Sequence, residues 1–128
     1  MNFEKVVFGF FILLAATLNF GFFMGDPADP ALHEIYELFA AIVVSLIATM
    51  LKFGDRTQTG AVHLATSLVA DLQLLAAALV WGYAAHVSGS DPLTPVQMAR
   101  VVSLSAGAFL ANAVSVTIMI TETIIQRR

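Results

Sequence analysis

One acidic residue, Asp71, lies near the middle of a long apolar stretch of the chain. On membrane-insertion scales a carboxylate at the bilayer centre costs roughly 2.5–3.5 kcal/mol, so such a group is either protonated or faces protein or water. His63, Ser67 and Asp71 are spaced by four residues, which places them on one stripe of a helix. A neighbouring stripe of polar residues is spaced by seven and consists of Thr59, Thr66 and Gln73. The two stripes together predict one broad polar face.

This polar face predicts an ion pathway, in which Asp71 binds a cation or a proton and Ser67, Thr66 and Gln73 line the route. The alternative is a buried hydrogen-bond network, since Asn112 of the last apolar stretch lies at a similar depth. Interhelical polar bonds average about 0.6 kcal/mol, which is too little to explain a carboxylate at this depth through stability alone. We therefore favour the ion pathway.

His63 lies nearer the end of the same stretch. Because an unperturbed histidine titrates near a pH of about 6.5, His63 could make an ion pathway sensitive to pH. The alternative is an ordinary solvated histidine close to the membrane surface.

Another pair of candidate residues lies at the start of the second apolar stretch. His33 and Glu37 are spaced by four residues, so both would lie on one helix face and could bind a divalent cation. Two ligands do not complete a metal site, but copies from neighbouring subunits in a symmetric oligomer would. Glu37 could equally form a ring that lines a pore mouth. The alternative is a polar collar at the membrane interface.

Four more acidic residues lie in or beside the connections between apolar stretches: Asp26, Asp29, Glu34 and Asp91. All fall on one side of the membrane if the chain crosses four times. Repeated around an oligomer, they would concentrate cations at an outer vestibule. Solvated turn residues are the alternative, since Asp before Pro is common in turns whatever the function.

The elements that must position these residues are four apolar stretches, at about residues 6–24, 33–53, 59–86 and 95–125. Each is long enough to cross a hydrocarbon core of about 30 Å as a helix. Of the 128 residues, 59% are hydrophobic and 12% are charged, whereas soluble domains carry about 25% charged residues. The sequence therefore predicts an all-α polytopic membrane protein, with residues 1–128 forming a single transmembrane domain, and excludes a soluble enzyme.

Several classes of function lack the residues that they need. The chain has no cysteine, its net charge is −3, and it contains no basic run, Gly-rich phosphate loop or set of four metal ligands. Asp71 has no second acid or histidine near its depth on another span, so the paired catalytic groups of an intramembrane enzyme are missing. We therefore expect no enzyme activity, no cofactor and no nucleic-acid partner.

Basic residues are distributed unequally between the two sides of a four-span topology. One side carries Lys5, Lys52, Arg56, Arg127 and Arg128. The other side carries Arg100. The positive-inside rule then places both termini in the cytoplasm and indicates a multi-pass protein of the bacterial inner membrane, surrounded by lipid.

The first and third stretches resemble each other in sequence. Residues 13–22 are identical to residues 74–83 at six of ten positions, and similar turn sequences follow both. We expect two helical hairpins, about residues 1–53 and 57–128, related by a pseudo-twofold axis along the membrane normal. A duplicated first span belongs to the mature fold, which argues against a cleaved signal peptide. Chance similarity between sequences rich in Leu and Ala is the alternative.

Small residues in the last stretch indicate how its helix packs. Ser103 and Gly107 form a small-xxx-small pair that Ala111 continues, next to Asn112. Such rows allow helices to approach closely. The pattern fits contacts within one subunit and contacts between subunits equally well.

In overall pattern, the whole chain resembles small uncharacterised four-span membrane proteins of proteobacteria, a resemblance that implies no function. In size and number of spans it also resembles the small multidrug resistance transporters. That family carries a glutamate in its first span, whereas the first span here, about residues 6–24, contains no acid. The functional residues of that family therefore have no counterparts in this chain.

The sequence favours an oligomeric cation channel, because four short spans rarely enclose a path alone. Glu37, Asp26 and Asp29 would form the outer vestibule, and Asp71 would line or gate the path. The second hypothesis is a proton- or metal-coupled carrier that uses Asp71 as the coupling acid. The third hypothesis is a packing or assembly subunit that transports nothing.

Overall fold

Four long helices make up most of the computed structural model, which describes residues 3–24, 35–89 and 93–126. They are α1 (Phe3–Phe23), α2 (Ile35–Lys52), α3 (Gln58–Gly82) and α4 (Pro95–Gln126), and a π-helical segment (Tyr83–Val87) continues α3. The described part of the chain contains no strand. All four helices are long and apolar enough to cross a membrane. The predicted all-α class with four spans is confirmed.

The helix ends follow from local sequence. Gly54 after α2 adopts a left-handed conformation with φ of 87°, which residues other than Gly rarely adopt and which commonly ends helices. The Thr57 hydroxyl accepts a bond from the backbone N–H of Gly60 at 2.9 Å and so caps α3. At the start of α4, Thr94 and Gln97 exchange side-chain and backbone hydrogen bonds of 2.9 and 3.3 Å, which form a capping box.

The helices form a ring in which each packs against two neighbours. Helix α1 contacts α2 and α4, and α3 also contacts α2 and α4. The starts of α1 and α3 lie at one end of the bundle together with the ends of α2 and α4, where residues of all four helices line one cavity. We call this the basic end, since it carries Lys5, Lys52 and Arg56. Lys5, Lys52 and Arg56, which the sequence assigns to one side of the membrane, therefore lie at one end of the bundle.

Large apolar side chains fill the bundle towards the opposite end, where Phe22, Leu38, Leu74 and Met98 are fully buried. Other large apolar side chains cover the outside of the bundle. Examples on the four helices are Phe10, Val43, Leu72 and Leu110, each more than half exposed. An apolar exterior of this kind suits contact with lipid.

The proposed internal repeat stays a prediction. Four helices of alternating direction, packed in a ring, are the arrangement that two related hairpins would give. The same arrangement also occurs in bundles that contain no duplicated sequence. In the matched sequences Ala16 and Ala77 are both buried, whereas Leu13 is 52% exposed and Leu74 is fully buried. The matched residues thus do not all occupy equivalent environments.

Candidate functional site

Asp71 lies inside the bundle, on the side of α3 that faces α2. The Ser45 hydroxyl donates to Asp71 Oδ1 at 2.6 Å, and the Thr49 hydroxyl donates to Asp71 Oδ2 at 2.5 Å. Ser45 and Thr49 are one turn apart on α2, so they present two hydroxyls side by side. With only 7% of Asp71 exposed, both carboxyl oxygens are enclosed by protein.

These hydrogen bonds suit both charge states of Asp71. Thr49 Oγ1 also lies 3.0 Å from the backbone carbonyl of Ser45, but a hydroxyl has one proton to donate. When Asp71 is ionised, Thr49 gives that proton to the carboxylate. When Asp71 is protonated, its own proton goes to Thr49 Oγ1, and Thr49 donates to the Ser45 carbonyl. The α2 hydroxyls can therefore accommodate the gain or loss of a positive charge at Asp71.

Asn112, the candidate partner of Asp71 in the alternative of a buried hydrogen-bond network, does not bond to it in the described part of the chain. Helix α2 supplies the partners of Asp71, and α4 does not. Both side-chain polar atoms of Asn112 and the Ser67 hydroxyl are fully buried, and none has a hydrogen-bond partner among the described residues. Ser67 and Asn112 are thus polar groups with unused hydrogen-bonding capacity inside the bundle.

His63 belongs to a second polar cluster, between α3 and α4. Its Nδ1 lies 3.1 Å from Ser115 Oγ, and Thr66 Oγ1 lies 2.5 Å from the same hydroxyl. The ring of Phe8 packs edge-on against the imidazole, with 4.9 Å between ring centroids. His63 is only 2% exposed, so it is a buried residue and not a solvated one near the surface.

The broad polar face expected on α3 is divided between its two neighbours. Asp71 faces α2, whereas Thr66 contacts Ser115 of α4. The Gln73 side chain lies against Gly107 of α4, at the place that a Cβ on Gly107 would occupy. The division also runs through the first stripe, because His63 contacts Ser115 of α4 whereas Asp71 contacts α2. That Asp71, Ser67, Thr66, Gln73 and Glu37 form one ion pathway stays a prediction.

A cavity of about 840 Å³ opens at the basic end and reaches the buried His63. Its charged lining residues are Glu4, Lys5, Lys52, Asp55 and Glu122. Lys5 pairs with Glu122 at 3.2 Å and Lys52 with Asp55 at 3.6 Å, and Lys52 Nζ also lies 4.3 Å from the centre of the Phe8 ring. Asp71 is not among the lining residues.

Asp55 organises the turn between α2 and α3 beside this cavity. Its Oδ1 accepts bonds from the Thr57 hydroxyl at 2.7 Å and from the Thr57 backbone N–H at 2.9 Å. The Thr57 hydroxyl, the Thr57 N–H and the nearby Lys52 ammonium hold the pKa of the Asp55 carboxyl below its ordinary value. Asp55 is therefore an anion that fixes the residue capping α3.

The acidic candidates that the sequence assigns to the outer side fall largely outside the described residues. This applies to the predicted vestibule residues Asp26, Asp29, Glu34 and Asp91, and to His33 of the predicted metal pair. Glu37 is half-buried and reaches across to α1, where a Cβ on Gly21 would collide with its carboxyl group. Among the described residues, no three His, Cys, Asp or Glu side chains are grouped so as to hold a metal ion.

The predicted row of small residues on α4 turns gradually into the bundle. Ser103 is exposed, Gly107 is half-buried beside Gln73, and Ala111 is buried. Steps of four residues rotate by about 40° on a helix with 3.6 residues per turn, which accounts for this change. Ser105, two residues after Ser103, is fully buried and donates to Asn19 Oδ1 of α1 at 3.3 Å.

Ser45 and Thr49 are the functional candidates that the sequence analysis missed. They are the polar residues of the otherwise apolar stretch 38–51, and their spacing of four places both on one face of α2. Two hydroxyl residues on one face of an apolar helix are possible partners for a lone buried acid, so their spacing could have indicated a contact with Asp71. Ser115, which joins His63 and Thr66, is a further residue that the sequence analysis missed.

The fold and these polar clusters define a polytopic four-helix membrane protein with a carboxyl group buried among its spans. The chain belongs to a family of unknown function, DUF6394, whose model matches residues 32–123. The match begins just before α2 and ends near the end of α4, so it includes Ser45, Thr49, Asp71 and Asn112. No curated protein and no solved structure matches the chain significantly.

Proposed function

We propose that this protein is a small proton- or metal-coupled cation transporter in which Asp71 is the exchange site. The observation that carries the proposal is the enclosure of Asp71 by the Ser45 and Thr49 hydroxyls, which suit the carboxyl with and without its proton. An acid that lines an open pore is bathed in water. An acid with both oxygens held by protein exchanges ions only when its surroundings move, as in a carrier.

The cavity at the basic end supports a route to this site from one side of the membrane. His63 lies at the inner limit of the cavity, and Ser67 stands one helical turn beyond it in the direction of Asp71. His63, Ser67 and Asp71 are all buried on α3. A proton or cation entering the cavity would therefore meet His63 first, with Ser67 and Asp71 at successive turns of α3 beyond it.

The location and assembly of the protein are part of the proposal. The grouping of Lys5, Lys52 and Arg56 at one end supports a cytoplasmic position for that end. The setting that we propose is a bacterial inner membrane. Both termini would then be cytoplasmic. We propose a homo-oligomer, because four helices packed around large side chains leave little room for rearrangement within a single copy.

A packing or assembly subunit is the second candidate. The two hydrogen bonds from α2 to Asp71 favour it, because they would also hold two helices together in a protein that moves nothing. This candidate requires only that Asp71 remain a hydrogen-bond acceptor. Asp71→Asn should then leave a fully functional protein.

The test uses purified protein in liposomes that contain a pH-sensitive dye. Gradients of sodium, potassium or a divalent cation are imposed, and cation and proton movements are recorded together. We expect one cation gradient to drive saturable proton movement. Asp71→Asn should reduce the rate on the order of tenfold or more, because an amide does not take up the exchanged charge. Thr117→Val, which changes an exposed hydroxyl bonded to its own helix, should keep the wild-type rate.

The other outcomes separate the hypotheses. Cation flux that does not saturate and moves no protons would replace the carrier with the channel that the sequence favours. Absence of flux for every cation would reject both transport hypotheses and leave the assembly subunit. Unchanged coupled flux in Asp71→Asn would keep the carrier but reject its exchange site.

A further inference from the structure

Asn112 of α4 lies at the depth of Ser67 and Asp71 in the bundle. Thr66 lies opposite Ser115, with 2.5 Å between the hydroxyl oxygens, and Gln73 lies against Gly107. These two contacts fix how the antiparallel helices α3 and α4 are aligned. Asn112 falls between Gly107 and Ser115 on α4, and Ser67 and Asp71 fall between Thr66 and Gln73 on α3. The three polar residues therefore occupy one level of the bundle.

Helix α1 supplies no polar partner at this level. Its alignment with α4 is fixed by Gly9 beside Met119 and by the hydrogen bond between Asn19 and Ser105. The buried residues of α1 between these contacts are apolar, namely Ile12, Ala15 and Ala16. Buried polar groups without partners are rare in proteins, and a bound water or ion is one explanation for them.

Three buried polar atoms at this level lack a hydrogen-bond partner among the described residues: Ser67 Oγ, Asn112 Oδ1 and Asn112 Nδ2. A proton on Asp71 would not satisfy them, because the Asp71 oxygens are already engaged by Ser45 and Thr49. A cation would, since the Ser67 hydroxyl and the Asn112 carbonyl are oxygen ligands. A water accompanying the cation would accept a bond from the Asn112 amide.

The chemistry of the ligands selects the class of cation. Carboxylate, hydroxyl and amide oxygens are hard ligands that bind hard cations and not soft transition metals. One carboxylate balances one positive charge, whereas a divalent cation would leave an uncompensated charge within the membrane. The Ser45 and Thr49 hydroxyls can donate to Asp71 and still offer lone pairs to a cation, because a hydroxyl has one proton and two lone pairs.

We propose that Asp71, Ser67 and Asn112, with the hydroxyl oxygens of Ser45 and Thr49, bind one partly dehydrated sodium ion in the middle of the bundle. Sodium is named before potassium because it is the smaller of the two ions and every ligand side chain is at most 7% exposed. The inference rests on the proposed function, since it names the cation that Asp71 exchanges. It also adds Ser67 and Asn112 to the exchange site.

The test measures the thermal unfolding midpoint of the purified protein while sodium replaces an organic cation at constant ionic strength. We expect the unfolding midpoint to rise with sodium concentration until it saturates. The affinity for potassium should be at least about tenfold weaker than the affinity for sodium. Loss of a residue that only hydrogen-bonds to a metal ligand typically weakens metal binding by ~10-fold or more. Because Ser67 is proposed as a direct ligand, Ser67→Ala should weaken sodium binding by at least this factor. Asn112→Leu should unfold at a higher temperature than wild type without sodium, because it removes an unpartnered amide, and should respond little to sodium.

Two matched controls separate the site from general effects of substitution. Ser103→Ala changes an exposed serine on α4, and Asn19→Leu changes a buried asparagine at the level of Ser105. Both should keep the wild-type sodium affinity, whatever their effect on stability. Loss of sodium affinity in Asn19→Leu would overturn the assignment of the site to one level of the bundle.

Failure of this inference differs from failure of the proposed function. If sodium does not raise the wild-type midpoint, or raises it equally in Asn112→Leu, the sodium site is overturned, although another cation can still drive proton movement in liposomes. An equal effect of potassium overturns the assignment to sodium. If sodium binds as expected but liposomes show no flux, the site stands and the transport proposal fails.

Discussion

The middle of the bundle and its basic end differ in how their charged side chains are paired. At the basic end, lysines pair with acids in partly exposed contacts, Lys5 with Glu122 and Lys52 with Asp55. In the middle, Asp71 is 7% exposed and its partners are the neutral hydroxyls of Ser45 and Thr49. Among the described residues, no basic side chain forms an ion pair with Asp71.

This difference suggests where a mobile charge is needed. At the basic end both lysines are paired with acidic side chains, so these charges need no ion from solution. The middle of the bundle holds an acid without a fixed counter-charge, in surroundings where an unbalanced charge is costly. A proton or cation from solution is then the natural counter-charge for Asp71. The predictions that follow address the two regions separately.

The largest effect on stability should come from removing both hydroxyls that hold Asp71. In the double variant Ser45→Ala and Thr49→Val, the buried carboxyl loses both partners. We expect the free energy of unfolding to fall by about 1–3 kcal/mol, the usual cost of a buried polar group without a hydrogen bond. Equilibrium unfolding in mixed micelles of a mild detergent and dodecyl sulfate measures this change.

Adding Asp71→Leu to the double variant should restore most of the lost stability, because the buried carboxyl that lost its partners is then removed as well. Thr117→Val serves as the control for loss of a hydroxyl that bonds only to its own helix. A double variant as stable as wild type would mean that water reaches Asp71. The contrast between the two regions would then disappear.

The fold was largely predictable from the sequence because each helix depends on local features. Uninterrupted apolar stretches predict the four spans, and the sequence Thr94 to Gln97 matches a capping box at the start of α4. Asp71 was also identifiable, since a lone acid in an apolar stretch is visible without any structure. These features require no knowledge of how one helix is rotated against another.

The partners of Asp71 were not predictable in the same way. Asn112 lies at the expected depth, but depth alone does not determine which neighbouring helix a side chain faces. The rotation of α3 turns Asp71 towards Ser45 and Thr49 of α2, and it buries His63 against α4 and α1. This rotation results from the packing of all four helices together, which spacing within a single helix does not reveal.

At the basic end, Asp55 should make stability depend on pH in the acidic range. Hydrogen bonds from Thr57 lower the pKa of Asp55 below its ordinary value of 3.8 in the folded state. The stabilisation is therefore complete above the ordinary pKa and is lost as pH falls through the lowered one. Unfolding of wild type and Asp55→Asn, compared at several values between about pH 6 and pH 2, should show the stability difference shrinking towards acidic pH.

Amide hydrogen exchange gives a local check on the role of Asp55. In wild type the amides of Thr57 and Gly60 should lose protection at acidic pH, after correction for intrinsic rates, because protonated Asp55 no longer fixes Thr57. In Asp55→Asn their protection should change little with pH. A stability difference that grows towards acidic pH would reverse the assigned sign and reject Asp55 as the anion that fixes this turn.

The smallest effect should come from the ion pair between Lys5 and Glu122, whose side chains are 48% and 32% exposed. A double-mutant cycle with Lys5→Met and Glu122→Gln should give a coupling free energy of about 0.2–1 kcal/mol, as for other exposed pairs. Raising the salt concentration should reduce the coupling further, because solvent-exposed charges are screened. A coupling that exceeded the loss in the Ser45 and Thr49 double variant and resisted salt would show that the basic end is as shielded from solvent as the middle. In that case the absence of a fixed counter-charge, and not shielding from solvent, would be what distinguishes Asp71.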